Sequence, residues 1–258
     1  MGCDEEYIKE CEPGNNIAVP EQIYNILSKT TARIEYGEKK STGFFMKINL
    51  DKKQHNFLLT CAHCISQDDI DSKIKVSIFY GKKNEEKEKQ IELDNNKRFI
   101  KCFEEQKIDA TIIEILSEDD IPDDRYLYPD LNYKNGYEQY IENDIYTGGF
   151  PSVEVNKGDR HFSGGKLLKH HTDNPKCFLH DCATKEGSSG SPLINNTQQV
   201  IGIHYGSNKL KTHNFGVFIG YIIDFLENSK DSLMFHDKGE LKNNDEKLVL
   251  KQEDKNKN

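Results

Sequence analysis

Three short stretches of this chain carry residue types that together could move a proton and transfer an acyl group. KEGSSGSPLI, from Lys185 to Ile194, surrounds Ser189 with glycines and small residues and then turns apolar. LLTCAHCI places His63 just after an apolar run, and KIDATIIEI puts Asp109 at the head of another. A serine hydroxyl is a poor nucleophile until a base takes its proton. A histidine can be that base near neutral pH and can then hand the proton to a leaving amine. A carboxylate on the far side of the ring fixes the tautomer and stabilises the imidazolium. The order along the chain is His, Asp, Ser, with separations of 46 and 80 residues, which is one of the orders in which this trio occurs. The backbone N–H groups of Gly187 and Ser189 would meet the developing oxyanion, and the glycines let so tight a turn form.

Each stretch alone has a blander reading: a Gly/Ser linker, a packed histidine, an aspartate in a turn. Their joint occurrence, each beside an apolar strand, favours the site. The elements that must position these residues are short β-type runs separated by turn or charge clusters. Examples are Ala32–Tyr36, Gly43–Ile48, Asn56–Cys61, Ile74–Tyr80 and Ala110–Leu116, and later Asp144–Tyr146, Lys176–Leu179, Gln199–His204 and Asn214–Ile219. Ile74, Val76, Ile78 and Tyr80 alternate with polar residues, the period of a half-buried strand. The clear helix signal is Tyr221–Asn228, with an apolar face of Ile222, Ile223, Phe225 and Leu226. Many short strands without crossover helices predict an all-β protein of antiparallel barrel or sandwich type.

At 258 residues the chain can build one large domain or two modest ones. Its polar excess is concentrated in Gly81–Gln90 (GKKNEEKEKQ) and in the stretch from Ser229 onward, which predicts a surface loop and a disordered tail. A net charge of −9 argues against a nucleic-acid partner, because phosphate binding needs a basic surface. No transmembrane segment is expected, since the best apolar run, Val217–Ile223, is too short. The acidic start MGCDEEYIKE is not a secretory leader. Gly2 and Cys3 hint at acylation, but Glu6 stands where the myristoylation pattern has Ser or Thr. Seven cysteines, at 3, 11, 61, 64, 102, 177 and 182, predict free thiols and a cytoplasmic protein. Cys61-Ala-His-Cys64 raises zinc or redox chemistry, but a second ligand pair at metal spacing is missing, so neither metal nor cofactor is expected.

TCAHC, DAT and GSSGSP resemble the three catalytic blocks of chymotrypsin-like serine proteases. GSSGSPLINNTQQVIGIHYG (Gly187–Gly206) is most similar to the glutamyl endopeptidase branch, and TGGFP (Thr147–Pro151) resembles a segment before the nucleophile in that branch. The resemblance spans Ala32 to Leu226. It implies two antiparallel β-barrels and a C-terminal helix, with the active site in the cleft between the barrels. The implied divisions are an N-terminal extension at 1–20, a first barrel at 21–120, a second barrel with its helix at 121–228, and a charged tail at 229–258. His63 and Asp109 would come from the first barrel and Ser189 from the second.

The resemblance also implies that Thr184 and His204 grip a substrate carboxylate, and that substrate backbone pairs with the strand after His204, at Tyr205 and Gly206. A buried carboxylate needs hydrogen bonds and positive charge, whereas a hydroxyl and a neutral imidazole equally suit a glutamine amide, so cleavage after Glu is expected first and after Gln second. Ser188 replaces the Asp of secreted trypsins, so trypsin-style zymogen activation is not implied; the glutamyl endopeptidase branch uses a processed α-amino group near the pocket, and removal of the extension at 1–20 stays open. Cys64 sits where extracellular relatives begin a disulfide, but Ser41-Thr42-Gly43 offers no partner. Glu186, beside the oxyanion turn, is expected to disfavour acidic residues near the scissile bond. The other histidines (55, 161, 170, 171, 180, 213 and 236) carry no motif and are expected at the surface. The partner implied is a protein or peptide substrate; the alternative is a catalytically silent relative that binds peptides.

Overall fold

The alternation at Lys75–Tyr80 becomes a strand whose buried positions are Val76, Ile78 and Tyr80. This strand, β4, belongs to the first of two sheets in the computed structural model, which describes residues 17–82, 85–151, 160–208, 210 and 212–228. The first sheet comprises β1 (Thr31–Tyr36), β2 (Lys39–Leu50), β3 (Lys53–Thr60), β4 (Lys75–Tyr80), β5 (Lys87–Glu92), β6 (Ile100–Cys102) and β7 (Thr111–Glu114). Its order is β5-β4-β1-β2-β3-β7-β6, all neighbours antiparallel. Among the described residues β5 and β6 do not pair, so this sheet is a half-barrel.

The second sheet contains β8 (Tyr128–Pro129), β9 (Asp144–Gly149), β10 (His161–His170), β11 (Cys177–His180), β12 (Pro192–Ile194), β13 (Gln199–Ser207) and β14 (Asn214–Phe218). Its order runs β12-β9-β10-β11-β14-β13, and β12 pairs again with β13 to close a six-stranded barrel. The short β8 adds in parallel to β13. The architecture is all-β and chymotrypsin-like, with the C-terminal helix α2 (Ile219–Asn228) extending the predicted helix by two residues at its start.

The apolar strands that lack alternation are buried on both faces. On β2 and β3, Phe44, Met46, Phe57 and Leu59 face the larger core that is shared with the second barrel. The residues between them, Phe45 and Leu58, face a smaller core with Ala32, Ile34, Val76 and Ile78. A continuous apolar run such as FLL therefore marks the sheet that lies between the two cores, and it leads straight to His63.

Three elements depart from the expectations. α1 (Glu21–Thr30) packs its buried Ile23 and Leu27, one helical turn apart, against the larger core; Pro20 and the Ile23/Leu27 spacing were its sequence signal. The charged stretch Gly81–Gln90 read as a loop contains the first four residues of β5, which pairs with β4 through six residues. Its KEKQIE sequence is that of an edge strand, where charge blocks pairing with other chains. β10 was hidden by Gly164 and Gly165. At Gly165 a Cβ would lie 2.5 Å from Asp181 Oδ1 and 2.6 Å from the Cys182 nitrogen, so this strand needs a residue without a side chain. Cys3, Cys11, His236 and the charged tail lie outside the described residues.

Candidate active site

His63 follows β3 in a turn closed by N–H groups of Cys64 and Ile65, which donate to the Cys61 carbonyl at 3.2 and 3.1 Å. Asp109 precedes β7, the neighbour of β3, and so stands beside it. Its Oδ2 lies 2.7 Å from His63 Nδ1, and its Oδ1 accepts the His63 backbone N–H at 3.0 Å. Both carboxylate oxygens are therefore spent on one residue, which fixes the ring and its tautomer. Burial pushes the His63 pKa down, and the hydrogen bonds and charge of Asp109 and the Cys64 sulfur more than reverse this, so the net shift is upward.

Ser189 sits on a turn that the second barrel holds in place. Gly187 and Gly190 have φ of 94° and 91°, in the left-handed region that favours glycine. The Gly190 N–H donates to the His204 carbonyl at 2.8 Å, the His204 N–H to the Ser191 carbonyl at 2.9 Å, and the Ser188 N–H to the Lys185 carbonyl at 2.9 Å. Among the described residues, the N–H groups of Gly187 and Ser189 have no protein acceptor. Ser189 Oγ likewise makes no hydrogen bond among the described residues. It shares with His63, Asp109, Thr184, His204 and Gly206 a cleft of about 710 Å³. Catalytic hydrogen bonds are often long in the absence of substrate and tighten when it binds.

Sequence reasoning missed Thr42, which joins the two halves of the site. Its N–H donates to the Ser189 carbonyl at 3.0 Å. Its hydroxyl donates to the Gly187 carbonyl at 2.8 Å and accepts the Phe150 N–H at 2.9 Å. Its carbonyl accepts the Thr60 hydroxyl at 2.8 Å. A Cβ at Gly190 would meet that carbonyl oxygen at 2.0 Å, so the serine turn is pressed directly against β2.

Thr184 and His204 are both buried and line the cleft. Gly206 lies beyond a bulge in β13, which skips Tyr205 in its pairing with β14. Behind His204 stands His180, whose Nε2 is 3.2 Å from His204 Nδ1. His180 is 0% exposed and His171 is buried too, so neither is at the surface as expected; His55, His161, His170 and His213 are partly exposed. The position of His180 in β11, one residue from Asp181 and two from Cys182, carries no motif of its own.

Burial pushes the pKa of His204 down to about 3, with a further push from His63. Burial and the neighbouring His204 likewise depress that of His180. Both rings are neutral when folded, yet each ionises near 6.5 once unfolded. Below pH 6.5 the unfolded chain thus binds more protons, and stability falls with pH. This contribution is complete above about pH 6.5 and is lost progressively down to about pH 3. His204 alone is expected to remove about 2 kcal/mol by pH 5. Urea melts at pH 7 and pH 5 check this; equal midpoints would show that the pair is not buried and neutral.

The trypsin-like peptidase domain family matches residues 41–203, and the chain belongs to that family. Solved structures with the same fold include a Glu endopeptidase in complex with MPD, at 16% identity and TM-score 0.56, covering 83% of this chain and 96% of that one. The Rv3671c protease from M. tuberculosis in its active form matches at 14% identity and TM-score 0.54, covering 79% and 82%. Catalytically active tobacco etch virus protease with product matches at 15% identity and TM-score 0.52, covering 83% of each. At such identities the likeness shows the fold alone. The family makes the chain a peptidase by descent, with peptide or protein as the substrate class. No helix among the described residues is long and apolar enough to cross a membrane.

Proposed function

We infer that the chain is a serine endopeptidase that works through Ser189, His63 and Asp109 and prefers to cleave after Glu, with Gln second. The observation that carries this reading is one cleft that holds Ser189, a His63 ring fixed by Asp109, and two N–H groups on the serine turn without acceptors among the described residues.

In this mechanism His63 Nε2 takes the Ser189 proton as Oγ attacks the scissile carbonyl carbon. The carbonyl π electrons move to oxygen, where the Gly187 and Ser189 N–H groups receive them. Collapse expels the amine, which takes its proton from His63. Water then repeats the sequence on the acyl-enzyme and releases the acid. Asp109 keeps the Nδ1 proton in place throughout.

Specificity rests on Thr184 and His204. If His180 Nε2–H donates to His204 Nδ1, the His204 proton sits on Nε2, a donor for the side-chain oxygen of either Glu or Gln. A carboxylate additionally draws a proton onto His204 and gains an ion pair, which ranks Glu first. Gly206 would pair with substrate backbone as an added strand. The five described cysteines are free and buried, which supports a reducing compartment, the cytoplasm.

Matched peptides bearing Glu, Gln, Ala or Arg before the scissile bond test the pocket. His204→Ala is expected to lower kcat/KM for the Glu peptide by about 10- to 100-fold, the worth of a hydrogen bond to a charged group. The Ala peptide should be cut as before and serves as the folding control. An unchanged preference for Glu over Ala in the variant would remove His204 from the pocket. A wild type that binds all four peptides and cleaves none would favour the silent, peptide-binding relative, the reading to which a Ser189 Oγ without a partner among the described residues lends weight.

A further inference from the structure

The turn that presents His63 also assembles three metal-ligating groups. A sulfur from Cys61, a ring nitrogen from His63 and a sulfur from Cys64 all lie within 4.8 Å of one another. The cause is local: the carbonyl of Cys61 accepts from both Cys64 and Ile65, and this helical turn stacks side chains three residues apart. In a tetrahedral zinc site, with bonds of about 2.3 Å to sulfur and about 2.0 Å to nitrogen, ligand atoms stand roughly 3.5–4 Å apart. The trio is therefore close to that spacing before any ion arrives.

We propose that Cys61, His63 and Cys64 form a binding site for a thiophilic divalent cation of the zinc class, and that the ion switches hydrolysis off. Two thiolates and one imidazole fill three corners of a tetrahedron, and the fourth opens to the cleft, which both His63 and Cys64 line. The His63 side chain is 48% exposed, so an ion can reach it from solvent. With the ion at Nε2, Asp109 on Nδ1 holds the ring from the opposite direction, as carboxylates do behind metal-bound histidines. On binding, the two thiols release their protons to solvent, and the resulting thiolates balance the charge of the dication.

Inhibition follows whichever ring nitrogen the ion takes. At Nε2 it occupies the lone pair that accepts the Ser189 proton. At Nδ1 it displaces the bond to Asp109. The Cys64 sulfur also touches the Ser189 carbonyl at 3.9 Å, and the Cys61 sulfur donates to the His204 carbonyl at 3.2 Å, so a coordinated ion also draws on the serine turn and the pocket strand. A second cysteine pair is the usual sequence sign of such a site, whereas here the third ligand lies inside the first pair.

The test begins with Ser189→Ala protein kept reduced by a phosphine and titrated with Co2+. One equivalent is expected to produce a thiolate-to-cobalt charge-transfer band that Zn2+ then bleaches. The band should be lost on adding either Cys61→Ser or Cys64→Ser. His63→Gln, at an exposed position that folding tolerates, should weaken binding by at least about 10-fold. In the active chain, Zn2+ should stop peptide cleavage at one equivalent, a chelator should restore it, and each cysteine variant should need at least about 10-fold more Zn2+ relative to its own uninhibited rate. A band that is absent because the ion sits on histidines such as His170 and His171, or that survives both cysteine substitutions because other thiolates hold the ion, would overturn the site. Equal zinc sensitivity in the cysteine variants would overturn the inhibition. The inhibition rests on the peptidase reading and the spectrum does not: a band in a chain that cleaves no peptide would sink that reading and leave the site standing.

Discussion

Ser189→Ala is expected to lower kcat for peptide cleavage by about 10⁶-fold and to abolish labelling by a fluorophosphonate. The size follows from the chemistry, because without Oγ no acyl-enzyme forms and the residual rate belongs to water attacking a bound, polarised carbonyl. The variant should fold as the parent does. Ser189 Oγ makes no hydrogen bond among the described residues, while the turn is held by main-chain bonds from Ser188, Gly190 and Thr42. Thermal melts of the two proteins should then nearly coincide. Labelling that persists in the variant would place the nucleophile elsewhere, and a loss of less than about 100-fold would leave Ser189 with a binding role only.

Asp109→Asn should cost about 10⁴-fold in kcat at neutral pH with little change in KM. The amide that replaces the carboxylate presents one oxygen and one NH2 group. With the oxygen kept on the His63 backbone N–H, the NH2 group faces Nδ1 as a donor. The ring must then carry its proton on Nε2, where the lone pair for Ser189 is required. The misfit is one of tautomer rather than position, so substrate binding is spared. A variant with near-parental kcat would show that the 2.7 Å contact is structural and that His63 needs no orienting carboxylate.

The sequence made the trio legible because each member sits at the boundary of an apolar strand, where a change in residue character marks both the element and its end. His63 closes the run of β3 and Asp109 opens that of β7, and these strands are neighbours. Strand pairing alone thus brings the two residues together. Other parts of the site depend on contacts through space that leave no local trace. Thr42 lies 145 residues from the Gly187 carbonyl it holds, within a stretch noticed only for lacking a cysteine. His180 supports His204 from a neighbouring layer of the barrel, and nothing in CFLH distinguishes a ring that faces inward from one that faces water. The charged strand β5 was misread because composition reports solvation, and an edge strand is as solvated as a loop.

The bonds of Thr42 also set when the proposed hydrolytic centre comes into being. During synthesis the ribosome releases the base and the carboxylate well before the serine, which follows Asp109 by 80 residues. The carbonyls of Gly187 and Ser189 are anchored to β2, so the serine turn gains its last anchors, and its place beside His63, only when the younger barrel seats on the older sheet. A fully synthesised chain whose two halves have not docked therefore has every chemical group of the proposed site without their assembly. On the reading proposed above, such a chain is silent toward neighbouring polypeptides until its two halves dock.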